Sequence, residues 1–326
     1  ITDKGLVDDP ELIVERFSGR EAVSESFRFE IDCVSTNAHF DLNPLLGEEV
    51  TLRLLQADGS KRSWHGYVTQ AMQLGADGGL ARYRLVMESF LAFLAQRRDC
   101  YLFQDKTAID IAGQILADYP EAHWSSQVTQ RMRTHSIATQ YRETDFDFLR
   151  RLLAEEGLSF RFEHDQSACA GDDNTHARHQ LILIDRDSEW PAGRQADLRF
   201  HRRHATEASD TVQAWQETRQ VLPNAVSLAG WDYKTLVATG AQAESALSNG
   251  ELPRLEIHDA SRPYRFEDGE AARLRTDLAL AAVESAYRRF AGESTVRSLA
   301  EGTVVSLRQH GSYTGDAACF KVLAVV

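Results

Sequence analysis

Residues 140–162 constrain the fold of this chain more than any other segment, because a full helix pattern there runs into a strand pattern. Thr144 stands where an N-cap belongs, and Asp147 can return the capping-box hydrogen bond. The helix places apolar residues on one face: Phe146, Leu149, Leu152 and Leu153. Gly157 follows the helix at the C-cap position. Helices often end there in the left-handed conformation, which glycine adopts with less strain than other residues. An alternating strand is predicted next, with its apolar positions at Leu158, Phe160 and Phe162.

The first ninety residues carry the pattern of β structure. Short alternating runs occupy residues 12–17, 27–34, 50–55, 64–70 and 83–88. Asp58-Gly59 and Asp77-Gly78-Gly79 separate neighbouring runs and supply the positive-φ residues that hairpin turns need. Several such strands in succession are typical of a small barrel or sandwich.

The middle of the chain changes to a mixed pattern. Thr107 and Asp110 form a second capping box before a helical run, and Pro120 ends that helix. Together with residues 140–162, this run indicates an α/β lobe that reaches to about residue 200. Further on, helical spacing predicts a helix within 270–291, with an apolar face of Ala271, Leu274, Leu278 and Ala281. Residues 205–265 are polar and loop-rich, so no order is predicted for them.

Length and charge limit the classes of function. The 326 residues exceed the roughly 250–300 that one hydrophobic core supports, so two or three lobes are expected. The net charge of −13 disfavours nucleic-acid binding, which needs a basic face, and binding to anionic membranes. The apolar runs are too short for a membrane span, and the first residues lack a signal-peptide pattern. We therefore expect a protein that folds in the cytoplasm.

Candidate metal and redox residues are few. The cysteines lie far apart and are expected to be reduced and mostly buried: Cys33, Cys100, Cys169 and Cys319. Two histidine pairs lack the further ligands of a metal site: His176 with His179, and His201 with His204. The basic residues 199–204 are expected in local salt bridges or in a protein interface. No metal and no cofactor is predicted.

A set of spaced motifs occurs along the chain in a fixed order. Its residues are Phe17, Gly19, Glu21, Gly47, Gly66, Gln140, Tyr141, Glu143, Asp145, Phe148, Leu149, Arg151, Leu152, Glu156 and Gly157. They resemble the motifs of the VgrG spike proteins of type VI secretion and of their relatives, the phage late control D proteins and phage baseplate hubs. The resemblance is clear between residues 12 and 185 and weaker beyond. These residues are expected to be structural, and none is assigned to catalysis.

The resemblance implies an α+β, β-rich fold with two small antiparallel β-barrel lobes, residues 1–96 and 201–326, and an intervening α/β lobe, residues 97–200. It also implies a homotrimer that caps the tube of hexameric Hcp rings, contacts baseplate components and carries the puncturing tip for effector delivery. Such a hub assembles in the cytoplasm and is exported by the contractile apparatus. The alternative is the hub of a contractile phage tail or phage-like injection particle. The neighbouring genes would distinguish this alternative from a type VI secretion hub.

An internal echo links two distant parts of the chain. Residues 47–53 and 302–308 share the pattern Gly-x-x-Val-[Thr/Ser]-Leu-Arg. On its own, this echo is as consistent with two unrelated strands as with a repeat. Since the resemblance implies two homologous barrels, three chains would present six similar modules to a six-subunit ring.

The sequence departs from the family pattern at its end. Full spike proteins continue into an oligonucleotide/oligosaccharide-binding-type barrel and a β-helix needle, and this sequence contains neither. It is interpreted as a hub-only fragment or a shortened relative, and residues 321–326 are expected to form the last strand of the second barrel.

A hydrolase-type effector enzyme is the alternative from another class of function. Glu155 and Glu156 are adjacent, so on a helix they point about 100° apart and are poorly placed to flank one bond. Arg150 and Arg151 offer them ordinary ion pairs. The chain has no Gly-x-Ser-x-Gly elbow, no phosphate-binding Gly-x-x-x-x-Gly-Lys and no Gly-x-Gly-x-x-Gly. The sequence therefore predicts a structural protein and not an enzyme.

Overall fold

The computed structural model describes residues 12–56, 58–167, 177–201, 210–232, 236–247, 250–263, 266 and 268–326. In this part of the chain the strands are β1 (Ile13–Ala22), β2 (Arg28–Ser35), β3 (Glu49–Leu55), β4 (Lys61–Asp77), β5 (Leu80–Glu88), β6 (Arg98–Lys106), β7 (Trp124–Ser126), β8 (His135–Thr144), β9 (Ser159–His164), β10 (His179–Ile184), β11 (Ala192–Arg199), β12 (Val212–Arg219), β13 (Ala225–Asp232), β14 (Val237–Glu244), β15 (Glu256–Pro263), β16 (Arg288–Ser294), β17 (Val304–Arg308), β18 (Cys319–Lys321) and β19 (Ala324–Val325). The α-helices are α1 (Leu91–Leu94), α2 (Ala108–Leu116), α3 (Asp145–Glu155) and α4 (Gly269–Glu284). The protein is thus β-rich with few helices, as predicted, while the closure of its sheets into two barrels stays a prediction.

The chain divides into two compact units. Unit 1 consists of residues 1–211 and 296–326, and unit 2 consists of residues 212–295. The three lobes predicted from the sequence stay a prediction, with boundaries that differ from this division. The difference arises because the residues after 295 pair with strands of unit 1.

The largest sheet of unit 1 has six strands in the order β19-β1-β2-β5-β4-β3. All of its ladders are antiparallel. Gly78 and Gly79 join β4 to β5, and their positive φ angles confirm the predicted hairpin turn. β3 pairs only with the first part of β4, up to Tyr67, and β19 pairs only with Glu21 and Ala22 of β1.

The helices α2 and α3 pack beside this sheet in a shared core. Thr107 caps α2 with the predicted box: its hydroxyl oxygen accepts the N–H of Asp110 at 3.2 Å, and the Asp110 carboxylate accepts the N–H of Thr107 at 3.0 Å. Thr144 caps α3 as predicted, by accepting the N–H of Asp147. There the Asp147 carboxylate accepts from the Thr144 hydroxyl, 2.8 Å away. Both helix starts are confirmed.

The end of α3 is also confirmed. Gly157 has φ +70°, and its N–H donates to the carbonyl of Ala154 at 3.1 Å. The N–H of Leu158 donates to the carbonyl of Leu153 at 2.9 Å, which completes a Schellman motif. The chain then enters β9, whose buried residues include Phe160 and Phe162. This sharp turn carries the chain from helix to strand without a loop.

Three smaller sheets complete unit 1. β10 lies between β7 and β9, parallel to the first and antiparallel to the second, and β6 pairs with β8. β17 lies between β11 and β18. The residues 321–326, expected to form one strand, instead contribute the end of β18 and all of β19, which pairs with β1. The expectation of a single last strand was therefore wrong.

Unit 2 contains the ribbon β12–β16 and the sheet β14-β13-β15, on which α4 packs. The predicted helix is present, but it ends at Glu284, and Arg288–Ser294 forms β16 opposite β12. Its predicted face was wrong, because the fully buried positions are Ala272, Thr276 and Leu280. This stripe contacts Val226 and Leu228 of β13 within one apolar cluster, while Leu274 is exposed. No helix in the described residues has the length and apolarity needed to cross a membrane.

Candidate functional site

A buried carboxylate, Asp145, fixes the start of the motif segment. The Gln140 amide donates to its Oδ1 at 2.8 Å, and the Tyr119 hydroxyl donates to its Oδ2 at 2.6 Å. Arg97 Nε lies 3.5 Å from the same Oδ2. Burial, followed by the bond to the Asp145 carboxylate, raises the pKa of the Tyr119 phenol, which stays a neutral donor. Gln140 and Asp145 therefore join β8, α3 and the residues after α2.

Arg151 forms a network on the exposed side of α3. Its Nη2 lies 2.6 Å from Glu143 Oε1, and its Nη1 lies 3.3 Å from Glu155 Oε1. The predicted pair of Glu155 with Arg151 is thus confirmed. Arg150 pairs with Asp147 at 3.5 Å.

Glu156 pairs with other residues than predicted. It is buried, and its Oε1 lies 2.9 Å from Arg133 Nε and 2.9 Å from His135 Nε2. The Gln130 amide donates to its backbone carbonyl. The prediction was wrong because Glu156 is the C-cap of α3 and turns towards the segment before β8, away from the Arg150 and Arg151 side.

The apolar motif residues are in the core. Phe148 stacks on Phe103 of β6 with ring centroids 5.5 Å apart, and Leu149 and Leu152 are buried beside it. Phe146, predicted for this face, is only half-buried, and Phe148 takes its place. Tyr141 differs from these apolar motif residues because 65% of it is exposed on β8.

Two motif glycines mark close contacts between strands. A Cβ at Gly19 would lie 2.1 Å from the ring of Phe29, and a Cβ at Gly66 would lie 2.7 Å from the carbonyl oxygen of Glu88. Phe17, half-buried, packs beside Gly19 with its ring centroid 5.9 Å from that of Trp64. Any side chain at these glycines would separate the strands.

Glu21 lies in a buried polar junction. Its Oε2 is 2.7 Å from Nη2 of Arg62. Glu301 is buried at the same place, where its Oε1 accepts the N–H of Phe162 at 3.2 Å. Burial raises the pKa of both carboxyl groups, while Arg62 opposes the rise. Of these residues, the sequence motifs had singled out only Glu21.

Two histidines of the core are held neutral chiefly by burial, and each accepts a backbone N–H. His164 Nδ1 accepts the N–H of His65, and His179 Nε2 accepts the N–H of Phe90, each at 3.1 Å. Protonation would place a second proton against these N–H groups, and burial lowers both pKa values, to about 3 for His179. His176 and His204 lie outside the described residues. Within the described ranges, no three His, Cys, Asp or Glu side chains are grouped to hold a metal ion.

The cysteine expectation holds in part. Cys33, Cys100 and Cys319 are free thiols. Cys33 is buried, but Cys100 and Cys319 are exposed, because they lie on outward-facing positions of β6 and β18. Cys169 lies outside the described residues. The prediction that the cysteines are mostly buried was therefore wrong for two of them.

The first copy of the internal echo is a strand with a distinctive entry. Gly47 has φ +81° and precedes the first residue of β3 by two positions. Its N–H donates to the carbonyl of Val68 at 2.8 Å, and the N–H of Val68 donates to the carbonyl of Glu48 at 2.9 Å. These two hydrogen bonds hold the residues just before β3 against β4.

The second copy repeats this entry. Gly302 has φ +70° and precedes β17 by two positions. Its N–H donates to the carbonyl of Val322 at 2.9 Å, and the N–H of Val322 donates to the carbonyl of Thr303 at 2.8 Å. Val50 and Leu52 of the first copy are buried, and so are their counterparts Val305 and Leu307. The echo is therefore a repeated strand pair with the same register and the same buried positions.

Comparison with known proteins agrees with this geometry. A family model for the phage tail baseplate hub (GPD) matches residues 20–320. The type VI secretion system spike protein VgrG1b of Pseudomonas aeruginosa is 27% identical over 300 residues, which cover 91% of this chain and 39% of that protein. VgrG4b of the same organism is 31% identical over 308 residues, which cover 92% of this chain and 36% of that protein. This chain thus spans about two fifths of the length of these relatives.

The fold has a solved counterpart. A component of the Escherichia coli type VI secretion system, itself described as similar in structure to the T4 bacteriophage tail proteins gp27 and gp5, superposes with a TM-score of 0.68 at 18% identity. The superposition covers 96% of this chain and 68% of that one. The resemblance stated from the motifs is confirmed by these matches. The chain belongs to the phage tail baseplate hub (GPD) family.

Proposed function

We propose that this chain is the hub of a type VI secretion spike, a structural homotrimer that caps a tube of hexameric Hcp rings and carries the puncturing tip. The repeated strand pair at Gly47 and Gly302 carries this proposal. Two equivalent modules in each of three chains give six docking positions around one axis, which matches the symmetry of a hexameric ring. The sequence identity to type VI spike proteins supports this hub over a phage tail hub.

Two strand edges supply surfaces for the trimer. In the described part of the chain, residues 13–20 of β1 and residues 69–77 of β4 pair with a strand on one side only. These edges lie on opposite sides of one sheet. A strand edge with free N–H and carbonyl groups is a template for another strand. A contact between the β4 edge of one copy and the β1 edge of the next is heterologous, and it closes into a trimeric ring when each contact rotates the next copy by about 120°.

The function of this hub is mechanical. Such an assembly transmits the force of contraction through buried interfaces, and large obligate interfaces bury more than about 2,000 Å². In this proposal the hub is assembled in the cytoplasm and then exported with the tube. The motif residues act by packing and ion pairing, and no catalytic group is assigned.

Light scattering of the chain, alone and with a hexameric tube-ring protein, tests the proposal. We expect a trimer that binds one ring. Leu74→Asp places a charge on the β4 edge, at a residue that is 48% exposed, and should give folded monomers. Leu274→Asp on α4 is the matched control, at 52% exposure, and should leave the trimer intact. A chain that does not bind the ring contradicts the hub function, whereas a trimeric Leu74→Asp variant contradicts only the edge assignment.

A further inference from the structure

The buried junction around Glu21 joins distant parts of unit 1. Arg62 of β4 pairs with Glu21 of β1 at 2.7 Å. Its Nη1 donates to the backbone carbonyls of Arg297, at 3.0 Å, and of Leu299. Its guanidinium also stacks 4.3 Å from the ring centroid of Trp64. One side chain thus binds the segment 296–302, which leads into the second strand pair.

Glu301 adds a second carboxyl group to the junction. It is within hydrogen-bonding reach of Glu21. A hydrogen bond between two carboxyl groups requires a proton on one of them, since an ionised carboxylate has no donor. The indole N–H of Trp64 is also within reach of Glu21, but among the described residues no donor forms a hydrogen bond of ordinary geometry with the buried Oε1. A proton on Glu301 would supply that donor.

The surrounding groups do not neutralise a second negative charge. On β9, Arg161 Nη1 lies 2.5 Å from Glu163, its own partner. His164, also on β9, has Nε2 at 3.7 Å from Glu21 Oε1, but it is held neutral chiefly by burial. Among the described residues, Arg62 on β4 is the remaining cation at the junction, and it pairs directly with Glu21. Two ionised carboxylates beside one guanidinium would leave an uncompensated buried charge, which is strongly unfavourable.

We propose that Glu21 and Glu301 share one proton, and that this protonated pair fastens segment 296–302 and the β17–β18 strand pair onto the six-stranded sheet. Arg62 keeps Glu21 ionised, and Glu301 carries the proton. Loss of the proton in alkaline solution places a second charge in the junction and loosens the segment. The raised pKa values of both carboxyl groups, about 8 for Glu301, agree with this arrangement.

The sign of the pH dependence follows from linkage. A carboxyl group whose pKa is raised by folding binds a proton more tightly in the fastened state than in the open state. Its stabilisation is complete below the ordinary pKa and is lost as the pH rises towards 8. Between the ordinary pKa and about pH 8, the equilibrium constant for opening of segment 296–302 should therefore increase by up to about tenfold for each pH unit, because opening releases one proton.

Hydrogen exchange of the β17 amides, corrected for the intrinsic exchange rate, tests the proposal on the full chain between pH 6.5 and 7.5. We expect about tenfold more opening at the higher pH in the wild type. Glu301→Gln keeps the shape and a donor without the titration, so its opening should not change with pH. Glu155→Gln, a carboxyl group on α3, is the control and should behave as the wild type.

The Glu21→Gln variant distinguishes a proton shared by the two carboxyl groups from a proton carried by Glu301 alone. With Glu21 neutral, Arg62 is free to pair with an ionised Glu301, so the pH dependence should disappear here too. Infrared spectra should show the carbonyl band of a protonated carboxyl group at pH 7 in the wild type and not in either variant. If opening in the wild type is independent of pH, or if Glu21→Gln retains the dependence, the proposal is overturned.

Discussion

The repeated strand pair allows one substitution to be compared at two equivalent positions. Gly47→Ala and Gly302→Ala each place an alanine at a positive φ, +81° and +70°. The left-handed conformation costs a non-glycine residue about 1–2 kcal/mol. A Cβ at Gly47 meets no other atom within 4 Å. Gly47→Ala should therefore lower the free energy of unfolding by about 1 kcal/mol through the backbone alone.

Gly302→Ala should cost more, because its Cβ would lie 2.4 Å from Cδ and 3.0 Å from Cβ of Arg161. Arg161 is buried and held by Glu163, so it cannot swing into solvent without losing this pair. Overpacking of this kind costs about 1–3 kcal/mol. We therefore expect a total loss of roughly 2–4 kcal/mol for Gly302→Ala.

Urea unfolding followed by the fluorescence of the five tryptophans, which include the buried Trp64, measures both variants. An Arg161→Ala background removes the closest contact, with Cδ at 2.4 Å, and leaves only Cβ at 3.0 Å, so most of the extra cost of Gly302→Ala should disappear. This double-mutant cycle isolates the packing contribution from the backbone contribution. Equal losses for the two glycine variants in the wild-type background would refute the reasoning.

Two further predictions concern ion pairing and helix capping. Asp32 accepts Arg84 Nε at 2.6 Å and Arg16 Nε at 2.7 Å, and these bonds, with Arg84 foremost, lower its pKa to about 2. The stabilisation by ionised Asp32 is present above the ordinary pKa and is lost as the pH falls towards 2. Asp32→Asn should therefore lower the free energy of unfolding at pH 7 by roughly 1–3 kcal/mol. In urea unfolding, the decrease of this free energy at acid pH should be smaller in the variant than in the wild type. An unchanged decrease would contradict this role. Thr107→Ala removes the capping box of α2 and should lower the free energy of unfolding by about 1 kcal/mol in the same assay. Thr107→Ser keeps the hydroxyl and should largely retain the stability of the wild type. If Thr107→Ala causes no loss of stability, this role of the cap is contradicted.

Features set by neighbouring residues could be predicted from the sequence. The caps at Thr107 and Thr144, the C-cap at Gly157 and the turn at Gly78-Gly79 depend on contacts within a few positions, and the structure confirms each of them. Leu158, Phe160 and Phe162 are buried as predicted, but Arg161 between the two phenylalanines is buried as well, so the alternation is confirmed only in part. Local patterns succeed here because tertiary packing agrees with them.

Features set by distant residues could not be predicted. The buried face of α4 depends on which side meets β13, and helical spacing alone offered another choice, with Leu274 on it. Glu156 pairs with Arg133, just before β8, and with His135, at the start of β8, and not with residues of its own helix. The pairing of β1 with β19 joins strands from opposite ends of the sequence, and no local signal marks it.

The junction at Glu21 shows the same limit. The motif named Glu21, but Arg62 and Glu301 carry no local sign of their role, since each is charged and would ordinarily be expected on the surface. A buried acid is recognised only once its partners are known. In the structure, the hydrogen bonds from Arg62 to the backbone carbonyls of residues 297 and 299 show that its side chain belongs to the buried junction.

The pairing of β1 with β19 also sets an order of events during synthesis. Glu21 pairs with Val325, so the first sheet receives β19 only after about 300 further residues have been synthesised. At about 5–20 residues per second, the nascent chain waits many seconds with β1 partly exposed. Unit 2 is continuous in sequence and can fold during that interval. The newly made chain is therefore most exposed to chaperones and to premature association through β1 until β19 has been synthesised.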